Sequence, residues 1–167
     1  MKKVIILIAG FLFAFEIYSP AFKNDSFIPK QYTCDGADIS IPLIIKNVPK
    51  KTQTLAIVMQ DPDAPFRVFT HWILYNLKPN ITEIPENLQK LPIITLGYQG
   101  INDFRKTGYG GPCPPYGKPH HYIITAIAID KKLNLPPDLT IKKFLDKIRP
   151  YVIDIATYTG LYKRSGK

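Results

Sequence analysis

Residues 54–65 have the sequence TLAIVMQDPDAP, an apolar segment followed by two aspartates and two prolines. The first six residues are rich in strand formers and lie between Lys50-Lys51 and Asp61-Pro62, which predicts a buried central strand. In the DPDAP motif, the prolines fix the backbone φ angle, so both carboxylates belong to a rigid turn. Alone, this motif is typical of an ordinary turn, and its meaning depends on which other segments the fold brings beside it.

Three further segments predict strands, and one predicts a helix. The predicted strands are residues 70–77, 121–129 and 151–162. In residues 140–150 Thr140 can cap a helix that Pro150 ends, and four apolar residues fall on one helical face: Ile141, Phe144, Leu145 and Ile148. Several strands with one or two helices predict a mainly β fold, in which two sheets pack together and the helices are peripheral.

Composition narrows the class of protein. The chain has 167 residues, enough for one domain with a buried core. Its 46% hydrophobic content excludes wholesale disorder, and 16 prolines spread along the chain argue against a helical bundle. The net charge is +9, but no run of five or more basic residues occurs. Dispersed charge is typical of a solvated surface, so we predict no nucleic-acid partner and leave contact with a membrane surface open.

Residues 1–19 match a secretory signal peptide, because Lys2 and Lys3 precede an apolar stretch at 4–15. This stretch is shorter than the roughly 20 apolar residues of a membrane-spanning helix. We therefore predict an exported protein (periplasmic, secreted or at the cell surface) whose domain occupies residues 20–167. The cleavage region lacks two small residues at the usual spacing, so an uncleaved N-terminal anchor stays open, and a buried first strand or helix is the alternative.

The two cysteines, Cys34 and Cys113, are natural disulfide partners in an oxidising compartment. A crosslink across a loop of about 80 residues stabilises a fold by on the order of 4 kcal/mol in the chain-entropy description. In a reducing cytosol the same residues would be two free thiols. Since export is predicted, we expect the disulfide.

All three histidines lie beside proline-rich segments. His71 follows the DPDAP motif, and His120-His121 follow residues 110–117, GGPCPPYG. Glycine permits close backbone approach, and proline keeps a loop rigid without an entropic cost on binding, so these segments predict a preformed pocket. The alternatives are a packed core histidine at His71 and a loop that is merely stiff.

The sequence contains few signs of an enzyme. Asp61, Asp63, His71 and His120 are suitable metal ligands by type, but no paired histidine spacing accompanies them. None of the four serines lies in a G-x-S-x-G motif, and no Walker loop or Rossmann fingerprint is present. We predict no metal, no cofactor and no catalysis; a small hydrolase or metalloenzyme built on the Asp/His cluster is kept as an alternative.

Taken together and in order, these motifs resemble the phosphatidylethanolamine-binding protein family, in particular its bacterial and archaeal Raf-kinase-inhibitor-like branch. The matching segments are IPKQYTCDG at 28–36, DISIP at 38–42, DPDAP at 61–65, HW at 71–72, GINDF at 100–104, residues 108–117, HHY at 120–122 and TYTGLYKR at 157–164. The resemblance implies two packed antiparallel sheets with peripheral helices. It also implies a small pocket for anions such as phosphate groups or phospholipid head groups.

The resemblance assigns the pocket residues motif by motif. They are Asp61, Asp63, Pro65, His71, Gly111, Pro112, Pro114, Pro115, His120 and Tyr122. His121 stands where many relatives have arginine; strand alternation points it away from the pocket, so the change bears on an outer-face ion pair. Either Tyr158 or Tyr162 is expected to close the site from the C-terminal strand.

An anion beside two carboxylates needs several hydrogen-bond donors. We expect them to be the backbone N–H groups of the glycine loop, the Tyr122 hydroxyl, and one or both of His71 and His120 in protonated form. The predicted function is a non-enzymatic, exported protein that binds a small anion. An inhibitor of a serine protease or a kinase is the second hypothesis, and homodimer formation is suggested only by the relatives.

Overall fold

The computed structural model describes residues 13–164, which form ten strands, one α-helix and two short 3-10 turns. The strands are β1 (Glu16–Tyr18), β2 (Ser26–Phe27), β3 (Leu43–Lys46), β4 (Thr54–Asp61), β5 (Phe69–Leu77), β6 (Glu83–Ile84), β7 (Ile93–Ile94), β8 (Gly97–Gln99), β9 (His120–Ile129) and β10 (Val152–Tyr162). The helix is α1 (Ile141–Ile148), and the turns are Lys30–Tyr32 and Arg149–Tyr151.

The strands make two sheets. A three-stranded sheet has the order β1–β3–β6, and a seven-stranded sheet has the order β2–β10–β9–β4–β5–β8–β7. Neighbouring strands are antiparallel except for β2 and β10, which are parallel. The predicted mainly β fold of two sheets is confirmed, whereas the parallel pair departs from the purely antiparallel expectation.

The predicted central strand is confirmed as β4, which lies between β5 and β9 in the middle of the larger sheet. Every residue of β4 except Gln60 is buried, because both faces of the strand are covered. On the face toward the smaller sheet, Ile57 and Met59 share one apolar cluster with Leu43 and Ile45 of β3. Burial on both faces explains why this segment is a continuous apolar run rather than an alternating one.

The other face of the larger sheet is covered by α1. Phe144 and Ile148 form a second apolar cluster there with Ala56 and Val58 of β4. The predicted helix is confirmed, but capping by the Thr140 side chain is wrong: no hydrogen bond from that side chain caps α1, and the Thr140 carbonyl oxygen instead accepts the Phe144 N–H at 2.9 Å. Within residues 13–164, no helix is both long enough and apolar enough to cross a membrane.

The first strand falls inside the segment predicted as a signal peptide. Residues 16–18 pair with residues 44–46 of β3, and both Phe15 and Ile17 are buried. The Ser19 hydroxyl donates to the Pro42 carbonyl oxygen at 2.8 Å. The folded part of the chain therefore begins before the predicted domain boundary at residue 20, while residues 1–12 of the predicted leader lie outside the described residues.

The predicted disulfide is confirmed between Cys34 and Cys113, whose Cα atoms lie 5.4 Å apart across 79 positions of sequence. It joins the segment before β3 to the long loop before β9. Beside it, the Cys34 N–H donates to the Pro112 carbonyl oxygen at 3.1 Å, and the Tyr109 hydroxyl donates to the Tyr32 carbonyl oxygen at 2.7 Å. Three independent links thus fix the glycine- and proline-rich loop to the core.

Candidate functional site

A β-bulge in β5 places His71. Met59 pairs with Trp72 and Gln60 pairs with Thr70, which leaves His71 as an extra residue without a partner on β4. A bulge of this kind redirects the side chain of the extra residue, and bulges are common beside functional sites. The redirected ring lies 3% exposed against the ring of Tyr122, with the two centroids 5.1 Å apart.

The tautomer of His71 follows from its backbone partner. Its Nδ1 lies 2.7 Å from the Gly110 carbonyl oxygen, which can only accept, so Nδ1 carries the proton and Nε2 is an acceptor. Burial lowers the pKa of His71 below its ordinary value of 6.5, and the Gly110 carbonyl and the Asp61 carboxylate oppose this shift less strongly. His71 is therefore the neutral histidine of the site.

The two aspartates of DPDAP each bind one of two consecutive histidines. Asp61 Oδ2 accepts from His120 Nδ1 at 2.7 Å, while its Oδ1 accepts the Asp63 N–H at 2.8 Å. Asp63 Oδ2 accepts both the backbone N–H of His121 at 2.8 Å and its ring Nδ1 at 2.7 Å. Both oxygens of Asp61 are thus occupied, and the carboxylate serves to orient the His120 ring rather than to face a ligand directly.

The outer-face pair is present as a hydrogen-bonded contact between His121 and Asp63, despite the change from arginine to histidine. His121 and Asp63 are both exposed, and hydrogen bonds from the His121 backbone and ring lower the pKa of the Asp63 carboxyl. The Asp63 side chain consequently belongs to the surface pair and does not line the cavity described next.

A cavity of about 160 Å³ opens where β4 ends and where β5 and β9 begin. Seven of the predicted pocket residues line it: Asp61, Pro65, His71, Pro114, Pro115, His120 and Tyr122. Four residues that are not predicted to line the pocket complete the wall: Ala64, Phe69, Phe104 and Cys113. The wall is mostly proline and aromatic, so its shape is held by stiff side chains, and the side chains of only four residues supply oxygen or nitrogen atoms.

The two adjacent glycines of the loop offer no free donor to this cavity. The Gly110 N–H donates to the His71 carbonyl oxygen at 2.9 Å, and the Gly111 N–H donates to Asp38 Oδ1 at 2.7 Å. The expectation that N–H groups of the loop bind the anion is therefore wrong for Gly110 and Gly111, because both groups are already used to fix the loop. Gly111 and Pro112 do not line the cavity; a Cβ atom at Gly111 would collide with the Tyr32 carbonyl oxygen, which explains why glycine is needed there.

The Tyr122 hydroxyl is the unusual group of the site. The side chain is fully buried, and within residues 13–164 only the hydroxyls of Tyr122 and Thr52 are buried without a well-formed hydrogen bond. Burial, followed by the nearby Asp61 carboxylate, raises the pKa of Tyr122 far above its ordinary value. The hydroxyl is thus a protonated donor at every physiological pH, and such buried donors are rarely left unpartnered in folded proteins.

Neither tyrosine proposed to close the site lines the cavity. The Tyr158 hydroxyl donates to the Phe22 carbonyl oxygen, and the Tyr162 hydroxyl donates to Asp35 Oδ2 at 2.7 Å. Both side chains fasten β10 to the segments before β3. These contacts cannot be predicted from the sequence, because a strand tyrosine is surrounded by the same alternating residues whether it lines a pocket or joins two segments of the fold.

Comparison with known proteins settles the family. A family model described as phosphatidylethanolamine-binding protein matches residues 18–163. The chain belongs to the phosphatidylethanolamine-binding protein family. A UPF0098 protein of Aquifex aeolicus is 42% identical over 151 residues, which cover 89% of this chain and 88% of the relative. A UPF0098 protein of Pyrococcus horikoshii is 43% identical over 152 residues, covering 87% of this chain and 75% of the relative.

Two solved members of the phosphatidylethanolamine-binding protein family have the same fold. The homologue CT736 from Chlamydia trachomatis superposes with a TM-score of 0.83 at 33% identity, covering 91% of this chain and 99% of that chain. Escherichia coli YbcL superposes with a TM-score of 0.83 at 28% identity, covering 90% of this chain and 99% of that chain. Membership of this family supports a role as a binding protein.

Proposed function

We propose that this member of the phosphatidylethanolamine-binding protein family is an exported, non-enzymatic protein whose cavity beside Tyr122 and His120 takes one phosphate-like anion, either free or as part of a lipid head group. The observation that carries the proposal is the buried Tyr122 hydroxyl in the wall of a preformed cavity. Its nearby acceptor, the Asp61 carboxylate, already accepts from His120 and from the Asp63 N–H, and the hydroxyl makes no well-formed hydrogen bond. A cavity of about 160 Å³ is smaller than the roughly 300–1,000 Å³ of drug-sized ligand sites, which suits a tetrahedral anion better than a whole lipid.

In this proposal, each polar side chain of the cavity has a distinct role in binding the anion. Asp61 binds the Nδ1–H of His120 and so directs Nε2 of the same ring away from the carboxylate. When His120 is protonated, its Nε2–H and the Tyr122 hydroxyl are two donors for one anion. Neutral His71 offers Nε2 as an acceptor, which suits the O–H of a free monoprotonated phosphate, whereas a phosphodiester head group has no O–H to donate to it.

The disulfide supports the exported location, since structural disulfides persist in oxidising compartments. The absence of catalysis stays part of the proposal. Among the described residues, no group of three or more His, Cys, Asp or Glu side chains is arranged to hold a metal ion.

Removal of the Tyr122 hydroxyl tests the proposal. We expect Tyr122→Phe to weaken phosphate binding about tenfold, because a hydrogen bond to a charged partner contributes about 1.5–3 kcal/mol. The same variant should keep or raise the free energy of unfolding, because it removes a buried donor that makes no well-formed hydrogen bond in the fold. Titration calorimetry and urea denaturation measure the two effects.

Tyr109→Phe is the matched control, since it removes another buried tyrosine hydroxyl, one that donates to the Tyr32 carbonyl oxygen. It should lower the free energy of unfolding by about 1 kcal/mol. Phosphate affinity that is the same in Tyr122→Phe and in the unmodified protein would overturn the proposed site.

A further inference from the structure

A second cavity, of about 270 Å³, adjoins the first. Phe104 and Cys113 line both cavities, so these two side chains form the partition between them. The Phe104 ring is held by edge contacts, with centroids 4.7 Å from Phe69 and 5.4 Å from His71. A ligand bound in the first cavity therefore lies one side chain away from the second.

The two cavities differ in charge. No lysine or arginine lines the first, whereas Lys90 and Lys106 line the second. The one carboxylate of the second cavity, Asp38, is already bound on both oxygens: Oδ2 to Lys90 Nζ at 2.8 Å and Oδ1 to the Gly111 N–H at 2.7 Å. Lys106 forms no ion pair within residues 13–164, so its charge is available to a ligand.

A buried amide fixes Lys106 beside the partition. Asn102 is 3% exposed, and its Oδ1 accepts the N–H of Phe104 at 3.0 Å and the N–H of Lys106 at 3.2 Å. Its Nδ2 donates to the Gly108 carbonyl oxygen at 2.9 Å. The Asn102 side chain thus fixes the backbone at three residues: Phe104, Lys106 and Gly108.

We infer that the protein binds a ligand with two anionic groups, one in the cavity of Tyr122 and His120 and the other at Lys106 across Phe104. The inference rests on the proposed function and adds the ligand class to it: a bisphosphate, or a phosphate that also carries a carboxylate. The same chemistry occurs in small soluble metabolites and in the head groups of anionic phospholipids such as phosphatidylserine.

The test compares α,ω-alkanediol bisphosphates of increasing length with the alkyl monophosphates of the same length, by titration calorimetry. At the length that spans the partition, the bisphosphate should bind about tenfold more tightly than its monophosphate, which is the effect of one added charge-assisted contact. In Lys106→Gln this ratio should fall close to one. Lys132→Gln is the matched control, since Lys132 is exposed and lies in the segment after β9, at the far end of that strand from His120; it should leave the ratio unchanged.

The outcomes separate the inference from the proposed function. Monophosphate binding with a ratio near one at every length overturns the inference and leaves the proposed function standing. No binding of either phosphate overturns both. A ratio that Lys132→Gln lowers as much as Lys106→Gln overturns the inference as well, because general surface charge would then account for it.

Sedimentation with phosphatidylcholine vesicles that contain phosphatidylserine distinguishes the two sources of the ligand. Sedimentation that Lys106→Gln abolishes supports a lipid source. A bisphosphate preference without sedimentation supports a soluble one.

Discussion

The two consecutive histidines of β9 form similar pairs with different consequences. In the pair of His120 with Asp61 the side chains are 13% and 4% exposed, whereas in the pair of His121 with Asp63 they are 55% and 42% exposed. Exposed ion pairs contribute little to stability. The buried pair instead fixes the direction of a ring that borders the cavity, so these two neighbouring residues should respond very differently to substitution.

Substitution of each histidine tests this difference. His120→Gln removes the ring that Asp61 orients beside the cavity, so it should weaken sulfate binding, whereas His121→Gln, on the outer face, should leave the affinity unchanged. Titration calorimetry measures both variants against the unmodified protein. Sulfate affinity that His120→Gln leaves unchanged would contradict the assigned role.

A second prediction follows from buried, neutral His71. Burial lowers the pKa of His71 in the fold, so between that lowered pKa and about 6.5 the unfolded chain binds a proton that the folded chain does not. The free energy of unfolding should therefore decrease as the pH falls below about 6.5, by at most about 1.4 kcal/mol per pH unit from this residue.

Urea denaturation between about pH 4.5 and pH 7.5 measures this dependence. His71→Asn keeps a donor for the Gly110 carbonyl oxygen but does not titrate, so its slope with pH should be smaller than that of the unmodified protein. Identical slopes would show that another group causes the effect.

At the scale of elements, the strand segments are predictable from sequence, but the bulge that makes the site is not. The β-forming run at 70–77 corresponds to β5, which begins one residue earlier. The extra residue at His71 becomes visible only when β5 is aligned with β4, since a bulge is a property of two strands. This is why His71 can be selected as a candidate from its motif while its direction cannot be derived from alternation.

The first strand leads to a prediction about processing. A chain that begins at Pro20 loses β1 together with buried Phe15 and Ile17. Full burial of an apolar side chain stabilises a fold by about 1.5–3 kcal/mol, so this chain should have a free energy of unfolding about 3 kcal/mol lower or more. A chain that begins at Ala14 keeps β1 and is the control.

If the protein is exported and processed as proposed, the mature chain should begin before Glu16, which intact mass measurement of the purified protein determines. A mature chain that begins at Pro20 and is as stable as the control would show that β1 contributes nothing to the fold.

At the scale of the whole molecule, the disulfide links Cys34, which lines the second cavity, to Cys113, which lines both cavities. Replacing both Cys34 and Cys113 by serine should lower the free energy of unfolding by on the order of 4 kcal/mol, because the crosslink restricts a loop of 79 residues in the unfolded chain. Urea denaturation of the unmodified protein after reduction should give a similar loss. A loss below about 1 kcal/mol would mean that the other links to the loop are sufficient.

The candidate site is only partly predictable for a related reason. Motifs identify Asp61, His71, His120 and Tyr122, since their segments are distinctive. The hydrogen bond from the Gly111 N–H to Asp38 joins residues 73 positions apart in the sequence. It depends on how two loops pack against each other, so no local sequence pattern predicts it. The second cavity is hidden from sequence for the same reason, because its wall comes from three separate segments of the chain.

Because the Tyr122 hydroxyl makes no well-formed hydrogen bond within the fold, a ligand that accepts from it should measurably stabilise the native state. A molecule that binds the native state and not the unfolded chain stabilises the protein by about 2.7 kcal/mol at a hundred times its dissociation constant. For a domain of this size such a gain raises the melting temperature by several degrees. A library of phosphates, phosphonates and head groups can therefore be ranked by thermal denaturation, with Tyr122→Phe as the reference in which the true ligand raises the melting temperature by clearly less.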